Sequence, residues 1–187
     1  MEPEVLLNFI SRVEKLKCNT RHCSTSSGIP ESVASHSFGC AVFALLLRDE
    51  FPELDMNKVL EMCIIHDFGE AVTGDIPTFQ KTGTDEKTEA QAIKGLLDTL
   101  PEMQKERWSH LFEEMEALET NEAKLYKIID KLEAVHQHNL SPLSTWIPLE
   151  YELNLTYGEE EAEAFPYTQK LRKALKRQTL KKTQKDN

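Results

Sequence analysis

Apolar residues recur three or four positions apart along almost the whole chain, which places them on one face of an α-helix. No alternating run of β-branched residues, the pattern of a half-buried strand, stands out. The sequence therefore predicts an all-α protein, a single compact helical bundle. The residue groups that mark the predicted helices are Val5, Phe9, Val13 and Leu16; Phe38, Val42, Leu45 and Leu46; Val59, Met62 and Cys63, with Asp55 as the cap; Ile93, Leu96, Leu97 and Leu100; Trp108, Leu111, Phe112 and Met115; Leu125, Ile128, Ile129, Leu132 and Val135; and Pro166–Leu180.

Long segments without this spacing interrupt the predicted helices. They are Asn19–Glu31, Gly74–Asp85 and Asn139–Pro148. Loops of this length inside a compact helical domain tend to carry binding and catalytic residues. We therefore expect part of the functional site to lie on them.

Charge is unevenly distributed. The net charge is −10, so the basic surface that long nucleic acids require is absent from the chain as a whole. Residues 170–187 nevertheless carry a net charge of +7, against −17 for the rest. Such a tail is compatible with a solvated helical end, with packing on the acidic body, or with contact to an acidic partner.

The cysteine pattern and the N-terminus bear on the cellular compartment in which the protein is expected to function. Four cysteines occur without the paired spacing of a zinc ribbon, and Cys40 and Cys63 adjoin apolar runs as small buried residues would. The N-terminus carries acids where a signal peptide has basic residues. The longest apolar run, Cys40–Leu47, is too short to span a bilayer. We expect a cytoplasmic protein with free thiols and no membrane partner.

The adjacent pair His66 and Asp67 follows an apolar helix, where both side chains would be costly to bury without partners. A divalent cation would bind both, because imidazole and carboxylate are standard metal ligands. His36, at the start of the second helix, and Asp130, within the apolar stretch of the sixth, complete a candidate set. Taken by itself, a His-Asp pair is more often an ion pair or a helix-end feature than a metal site.

The ordered set of motifs resembles the HD-domain superfamily of metal-dependent phosphohydrolases, and within it the 5′-deoxynucleotidase branch. The resemblance covers roughly Leu6–Leu140. It implies an HD phosphohydrolase domain over residues 1–160, followed by a C-terminal helix and basic tail over residues 161–187. The segments that carry it are Glu31–Ser37, His66–Glu70, Thr73–Thr78 and Ile129–Glu133.

The resemblance also implies roles for individual residues. The expected metal ligands are His36, His66, Asp67 and Asp130. The expected catalytic acids are Glu70, which would relay protons, and Asp75, which would contact the sugar or the attacking water. The expected substrate contacts are Arg21, which would grip the phosphate, His22, the nucleotide-holding segment Ile76, Pro77 and Thr78, and Lys81 as a further cation.

The sequence departs from the bacterial members of this branch at one position. His22 stands where those enzymes have a Trp that shapes the sugar pocket, so the preference for deoxyribose is open. His22 is compatible with a phosphate contact or with a solvated loop residue.

The remaining histidines bear on the number of metal ions. Two-metal relatives use further histidines between the His-Asp pair and the last Asp, but only His110 occurs there. His136 and His138 do not share the helical face of Asp130, and we expect them to be structural or exposed. The expected cofactor is one divalent ion, with Mn, Co, Mg, Zn, Fe and Ni as candidates.

The predicted function is hydrolysis of (deoxy)nucleoside 5′-monophosphates to nucleoside and phosphate. Two alternatives stay open: an HD-family hydrolase of another phosphoester or pyrophosphate, and a catalytically weak, metal-stabilised binding module. The expected partner is a small phosphorylated nucleotide, and the family implies a homodimer.

Overall fold

Helices account for most of the chain, and the all-α prediction is confirmed. The structure is a computed structural model that describes residues 1–184. The helices α1 to α9 have the bounds Pro3–Val13, Val33–Leu46, Met56–Ile65, Glu70–Thr73, Gly83–Leu97, Glu102–Ala117, Asn121–Leu140, Pro148–Thr156 and Pro166–Thr183. Short 3-10 turns lie at Glu14–Lys17, Arg48–Glu50, Leu143–Thr145 and Glu161–Ala164.

Helices α2, α3 and α7 pack against one another at the centre of the bundle. Their facing sides supply fully buried apolar residues, among them Val33, Val59, Met62 and Leu125. Burying such side chains stabilises the fold by about 1.5–3 kcal/mol each. These three helices also position the predicted metal ligands, so the core fixes the relative placement of the site.

Polar caps fix where the central helices begin. The Asp55 carboxylate accepts hydrogen bonds from the backbone N–H groups of Asn57 and Lys58, which confirms the predicted cap of α3. The Ser32 hydroxyl accepts from the Ser35 backbone N–H at the start of α2. Such caps satisfy N–H groups that have no partner within the helix.

The predicted loop Asn19–Glu31 is instead a small antiparallel hairpin. Strand β1, Thr20–Ser24, pairs with β2, Pro30–Ser32, through a turn at which Gly28 has a φ of +79°. A positive φ favours glycine, which lacks a Cβ. The strands are too short to show the alternation by which a strand is recognised in sequence.

The apolar residues that mark the second predicted helix do not form its buried face. Phe38, Leu45 and Leu46 are exposed, by 72%, 50% and 77%. The side that packs into the core carries His36 and Cys40 instead, together with Val33, Ser37 and Ala44. Helix α2 is apolar on both sides, so periodicity places the helix correctly but not its inward face.

The C-terminal part of the chain packs on the bundle. Helix α8 lies in a region where no helix was predicted, and α9 begins at Pro166 as predicted and contacts α7 and α8. The buried Arg172 donates hydrogen bonds to the carbonyl oxygens of Tyr157 and Asn154. The division of the chain at residue 160 stays a prediction, and residues 185–187 of the predicted tail lie outside the described residues.

Within residues 1–184, no helix is both long enough and apolar enough to cross a lipid bilayer.

Replacing Arg172 with Ala should destabilise the fold, because the carbonyl oxygens of Tyr157 and Asn154 would lose their donor inside the protein. We expect a loss of about 2–3 kcal/mol in the free energy of unfolding. Denaturant titration followed by circular dichroism measures it. The control is Lys173→Ala on the exposed side of the same helix, which should change the value by less than about 0.5 kcal/mol. Equal stability of the two variants would contradict the structural role of Arg172.

Candidate metal centre

The predicted ligands from three separate parts of the chain converge on one point. His36 ends the first turn of α2, His66 and Asp67 directly follow α3, and Asp130 lies in the middle of α7. His36 Nε2 is 3.1 Å from Asp130 Oδ1 and 3.3 Å from His66 Nε2. His66 Nε2 is in turn 3.2 Å from Asp67 Oδ2 and 3.8 Å from Asp130 Oδ1. The structure thus brings the four candidate residues close together, and their role as ligands stays a prediction.

These spacings suit a single divalent cation. Donor atoms that share a metal at about 2.1 Å lie about 3.4 Å apart at the edges of a tetrahedron, close to the distances of 3.1–3.8 Å measured here. Two imidazole nitrogens and two carboxylates form a mixed set of donors that several first-row metals accept. The residues present therefore fit the metal that the motif implies.

The other atoms of three ligand side chains are held by neighbours. His36 Nδ1 is 2.5 Å from Glu133 Oε2, and His66 Nδ1 is 3.0 Å from the carbonyl oxygen of Cys63. Lys127 Nζ donates to Asp130 Oδ2 at 2.8 Å. Such contacts fix the ring orientation and tautomer of a metal-binding histidine. They leave Nε2 of each ring and Oδ1 of Asp130 directed at the shared point.

The two acids of the His66–Glu70 segment differ in charge state. Burial alone would raise the pKa of Asp67, but the charge and hydrogen bond of His66 outweigh it and lower the pKa to about 2. Burial, reinforced by the charges of Asp67 and Asp75, raises the pKa of Glu70 to about 9. Glu70 Oε2 is buried and has no hydrogen-bond partner among the described residues. At neutral pH the site thus contains an ionised acid and a neutral one.

Arg21 extends from β1 into this acidic site. Its guanidinium lies 3.3 Å from Glu31, 3.9 Å from Asp75 and 4.0 Å from Glu133. Burial opposes its charge, yet the surrounding carboxylates hold the pKa of Arg21 above its ordinary value. Its guanidinium is a planar fork that matches the oxygens of a phosphate.

The other predicted substrate residues divide between two cavities. Arg21, His22, Asp75, Pro77 and Thr78 line one cavity, whose described lining includes none of the four candidate ligands. The second cavity is lined by Glu70, Ile76 and Lys81, among others, and there Lys81 forms an ion pair with Glu89. The segment Ile76–Thr78 therefore does not face a single pocket.

Sequence reasoning missed several polar residues of the site. Glu31 and Glu133 are buried beside Arg21, and Glu150 and His138 line the first cavity with His22. Nε2 of His22 and of His138 lie 3.4 Å and 3.6 Å from Glu150 Oε1. Glu133 has a sequence signal, its position one turn after Asp130. Glu150 has none, because α8 was not predicted.

His138 was expected to be structural or exposed, and the structure places it in the interior rather than on the surface. Its side chain is largely buried at the cavity. Burial, together with the positive charges of Arg21 and His22, lowers the pKa of His138 to about 4. The ring is therefore neutral at pH 7. By contrast, the side chain of His110 is exposed on α6 beside Glu113, as expected of a histidine that binds no metal.

A second group of potential ligands is formed by Glu31, His36 and Glu133. The Arg21 guanidinium already lies within 4.0 Å of both carboxylates. A cation placed there would meet the charge of Arg21 at short range, which is unfavourable in a buried site. The arrangement favours one metal ion, as the histidine pattern predicts.

Glu70→Gln should change how the stability of the metal-free protein depends on pH. Between the ordinary pKa of 4.5 and about 9, the folded protein keeps a proton on Glu70 that the unfolded chain has lost. The free energy of unfolding therefore falls as pH rises through this window. We expect the variant to be more stable than wild type by about 2 kcal/mol at pH 8.5, and equally stable at pH 4.5.

Chemical denaturation of chelator-treated protein at the two pH values measures this effect. Glu116→Gln, at an exposed position of α6, is the matched control and should follow wild type throughout. A pH-independent difference between Glu70→Gln and wild type would contradict the raised pKa.

Comparisons with known proteins identify the family of the chain. The 5′-deoxynucleotidase hdd1 of Schizosaccharomyces pombe is 29% identical over 89% of this chain and 81% of its own length. The 5′-deoxynucleotidase HDDC2 of Bos taurus is 35% identical over 71% of this chain and 65% of its own length. The crystal structure of a predicted metal-dependent phosphohydrolase from Magnetospirillum magnetotacticum superposes with a TM-score of 0.81 at 25% identity, covering 96% of this chain and 93% of that one. The model of the HD domain family matches residues 13–172, and the chain belongs to this family.

Proposed function

We propose that this protein is a metal-dependent phosphomonoesterase that hydrolyses deoxynucleoside 5′-monophosphates to nucleoside and phosphate. The observation that carries the proposal is the largely buried Arg21 guanidinium, which lines the first cavity and lies 4.0 Å from Glu133, the acid that contacts the candidate ligand His36. The named 5′-deoxynucleotidases among the relatives support the choice of substrate class.

The charge balance of the site favours a small phosphate ester. A phosphate monoester carries nearly two negative charges at neutral pH, and an acidic site repels it unless cations receive it. Arg21 supplies one such cation. His36, His66, Asp67 and Asp130 would hold the divalent ion, which would activate water and shield the phosphoryl oxygens. Mn, Co, Mg, Zn, Fe and Ni are the candidates.

Glu70 has the properties of a proton donor. In the metal-free protein, burial and the charges of Asp67 and Asp75 raise the pKa of Glu70, which is the first residue of α4, one turn after Asp67. A protonated carboxyl group within reach of the leaving oxygen can donate its proton as the P–O bond breaks. Asp75, 3.9 Å from Arg21, lies where it would hold the guanidinium and contact the sugar or the water.

The nucleoside is proposed to occupy the first cavity, where Pro77 and Thr78 line the wall. His22 lies edge-on to Phe79, with ring centroids 5.6 Å apart. His22 would therefore contact the sugar or the base of the nucleotide. Lys81 and Ile76 line the second cavity. In this proposal Lys81, held by its ion pair with Glu89, supplies a further positive charge there, and Ile76 forms an apolar part of the wall.

The function is tested on purified protein that has been stripped with a chelator. Phosphate release is measured on dAMP, dGMP, TMP and AMP after addition of Mn, Co, Mg or Zn. We expect metal-dependent release, with Asp67→Ala losing both metal binding and turnover. Glu70→Gln should still bind metal while its kcat falls by about 10²–10⁴-fold.

The matched control is His110→Ala, whose side chain is 80% exposed, and it should turn over like wild type. If the protein releases phosphate from none of the four nucleotides, the proposed substrate class is wrong. Activity on other phosphoesters or pyrophosphates would then support the first alternative. Metal binding without any hydrolysis would support a binding module, against which the presence of Glu70 and Asp75 speaks.

We also infer that the protein forms a homodimer through the outer face of α2. Phe38, Leu45 and Leu46 expose large apolar side chains on this helix, and contiguous exposed apolar residues are typical of interaction surfaces.

A cytoplasmic location is proposed as well. It is supported by the four cysteines, which are free thiols as in a reducing compartment.

Leu46→Glu should convert the dimer to a monomer, because it would bury a carboxylate in an apolar interface. Analytical ultracentrifugation at micromolar concentration measures the mass. The control is Met103→Glu, at a residue of α6 that is 78% exposed, and it should stay dimeric. A wild-type protein that is monomeric under these conditions would refute the dimer.

A further inference from the structure

Glu133 is a buried acid for which the motif comparison gives no role. It lies on α7 one turn after Asp130, and its relative exposure is 4%. Its Oε2 is 2.5 Å from Nδ1 of His36, across the packed interface of α2 and α7. Burial of a carboxylate is unfavourable unless it is hydrogen-bonded and paired. The His36 ring therefore provides a specific partner for this acid.

The opposing helix has no side chain where Glu133 enters. Gly39, on α2 one turn after His36, faces this carboxyl group. A Cβ at position 39 would lie 2.9 Å from Cδ and 3.0 Å from Cγ of Glu133, closer than atoms normally approach. Glycine inside a helix costs about 1 kcal/mol relative to alanine. The helix thus contains a destabilising residue at the one point where this contact requires space.

Glu133 also contacts the proposed phosphate-binding residue. Its Oε2 lies 4.0 Å from Nη1 of Arg21, whose other partner at this atom is Glu31 Oε2 at 3.3 Å. One carboxylate therefore lies between a candidate metal ligand and a candidate substrate ligand. Glu31 hydrogen-bonds Arg21 and, among the described residues, forms no hydrogen bond to His36.

We propose that Glu133 is a positioning residue that acts through His36. It accepts the Nδ1 proton of His36, fixes the tautomer and directs Nε2 at the point shared with His66 and Asp130. It also holds Arg21 next to that point, so that the metal and the phosphate would meet. The inference rests on the proposed metal centre and deepens it by naming the residue that orients one ligand.

The test compares the metal affinity of wild type with that of Glu133→Gln, Gly39→Ala and the matched variant Glu31→Gln. The metal-free proteins are titrated with Co²⁺ or Zn²⁺ in competition with a chelating dye. Loss of an outer carboxylate partner of a ligating histidine typically weakens metal affinity by about 10–100-fold. We expect a loss of this size in Glu133→Gln and in Gly39→Ala, which displaces the carboxyl group, and a change below about threefold in Glu31→Gln.

A second measurement follows the proton itself. In metal-free wild type labelled with ¹⁵N-histidine, we expect one imidazole N–H resonance shifted downfield by the hydrogen bond to Glu133. The signal should move upfield in Glu133→Gln, whose neutral amide oxygen accepts a weaker hydrogen bond, disappear in Gly39→Ala, and persist unshifted in Glu31→Gln. Circular dichroism and thermal melts of each variant establish that it is folded, and if Glu133→Gln does not fold, Gly39→Ala decides the outcome.

Wild-type metal affinity in a folded Glu133→Gln or Gly39→Ala variant would overturn the proposal. An equal loss in Glu31→Gln would also overturn it, because the effect would then reflect the negative charge of the cluster. Both measurements are made without nucleotide. A selective loss of metal affinity in a protein that hydrolyses no nucleotide would support Glu133 and reject the proposed substrate.

Discussion

The arrangement of the site depends on the meeting of two imidazoles and two carboxylates inside the bundle. His36 and Asp130 lie on α2 and α7, and His66 and Asp67 directly follow α3; these three helices pack through fully buried apolar residues. Four polar groups at these distances are unfavourable in a core unless a cation or shared protons link them. The hydrophobic packing of α2, α3 and α7 therefore holds together a constellation that would otherwise separate. This is how an ordinary helical core can carry a reactive centre.

Several acids surround a single cation at the candidate site. The protein is acidic overall, yet Arg21 is surrounded by Glu31, Asp75 and Glu133. These acids hold the guanidinium in place, and Glu70 stays neutral because of its burial and its charged neighbours. A phosphate ester entering the site would meet the Arg21 cation, although the molecule around it is negative.

The sequence predicted the parts of this structure that depend on local pattern or on ordered motifs. The helices follow the apolar spacing, and the four ligand candidates named from the resemblance lie close together. Contacts between distant segments were not predictable in the same way. The hairpin carrying Arg21 is too short to show alternation, and α2 is apolar on both sides. Glu150 enters the cavity from a helix with no clear signal, and the burial of His138 is a tertiary effect.

The single helix that carries both Asp130 and Glu133 limits how this chain can vary in length. An α-helix turns by about 100° per residue. One residue inserted between positions 130 and 133 would rotate Glu133 away from His36 while Asp130 stayed in place. Deleting one residue from this stretch would rotate Glu133 by the same angle in the opposite direction. The stretch from Lys127 to Glu133, which also supplies the lysine that binds Asp130, should therefore tolerate substitutions at its outward positions but no change in length.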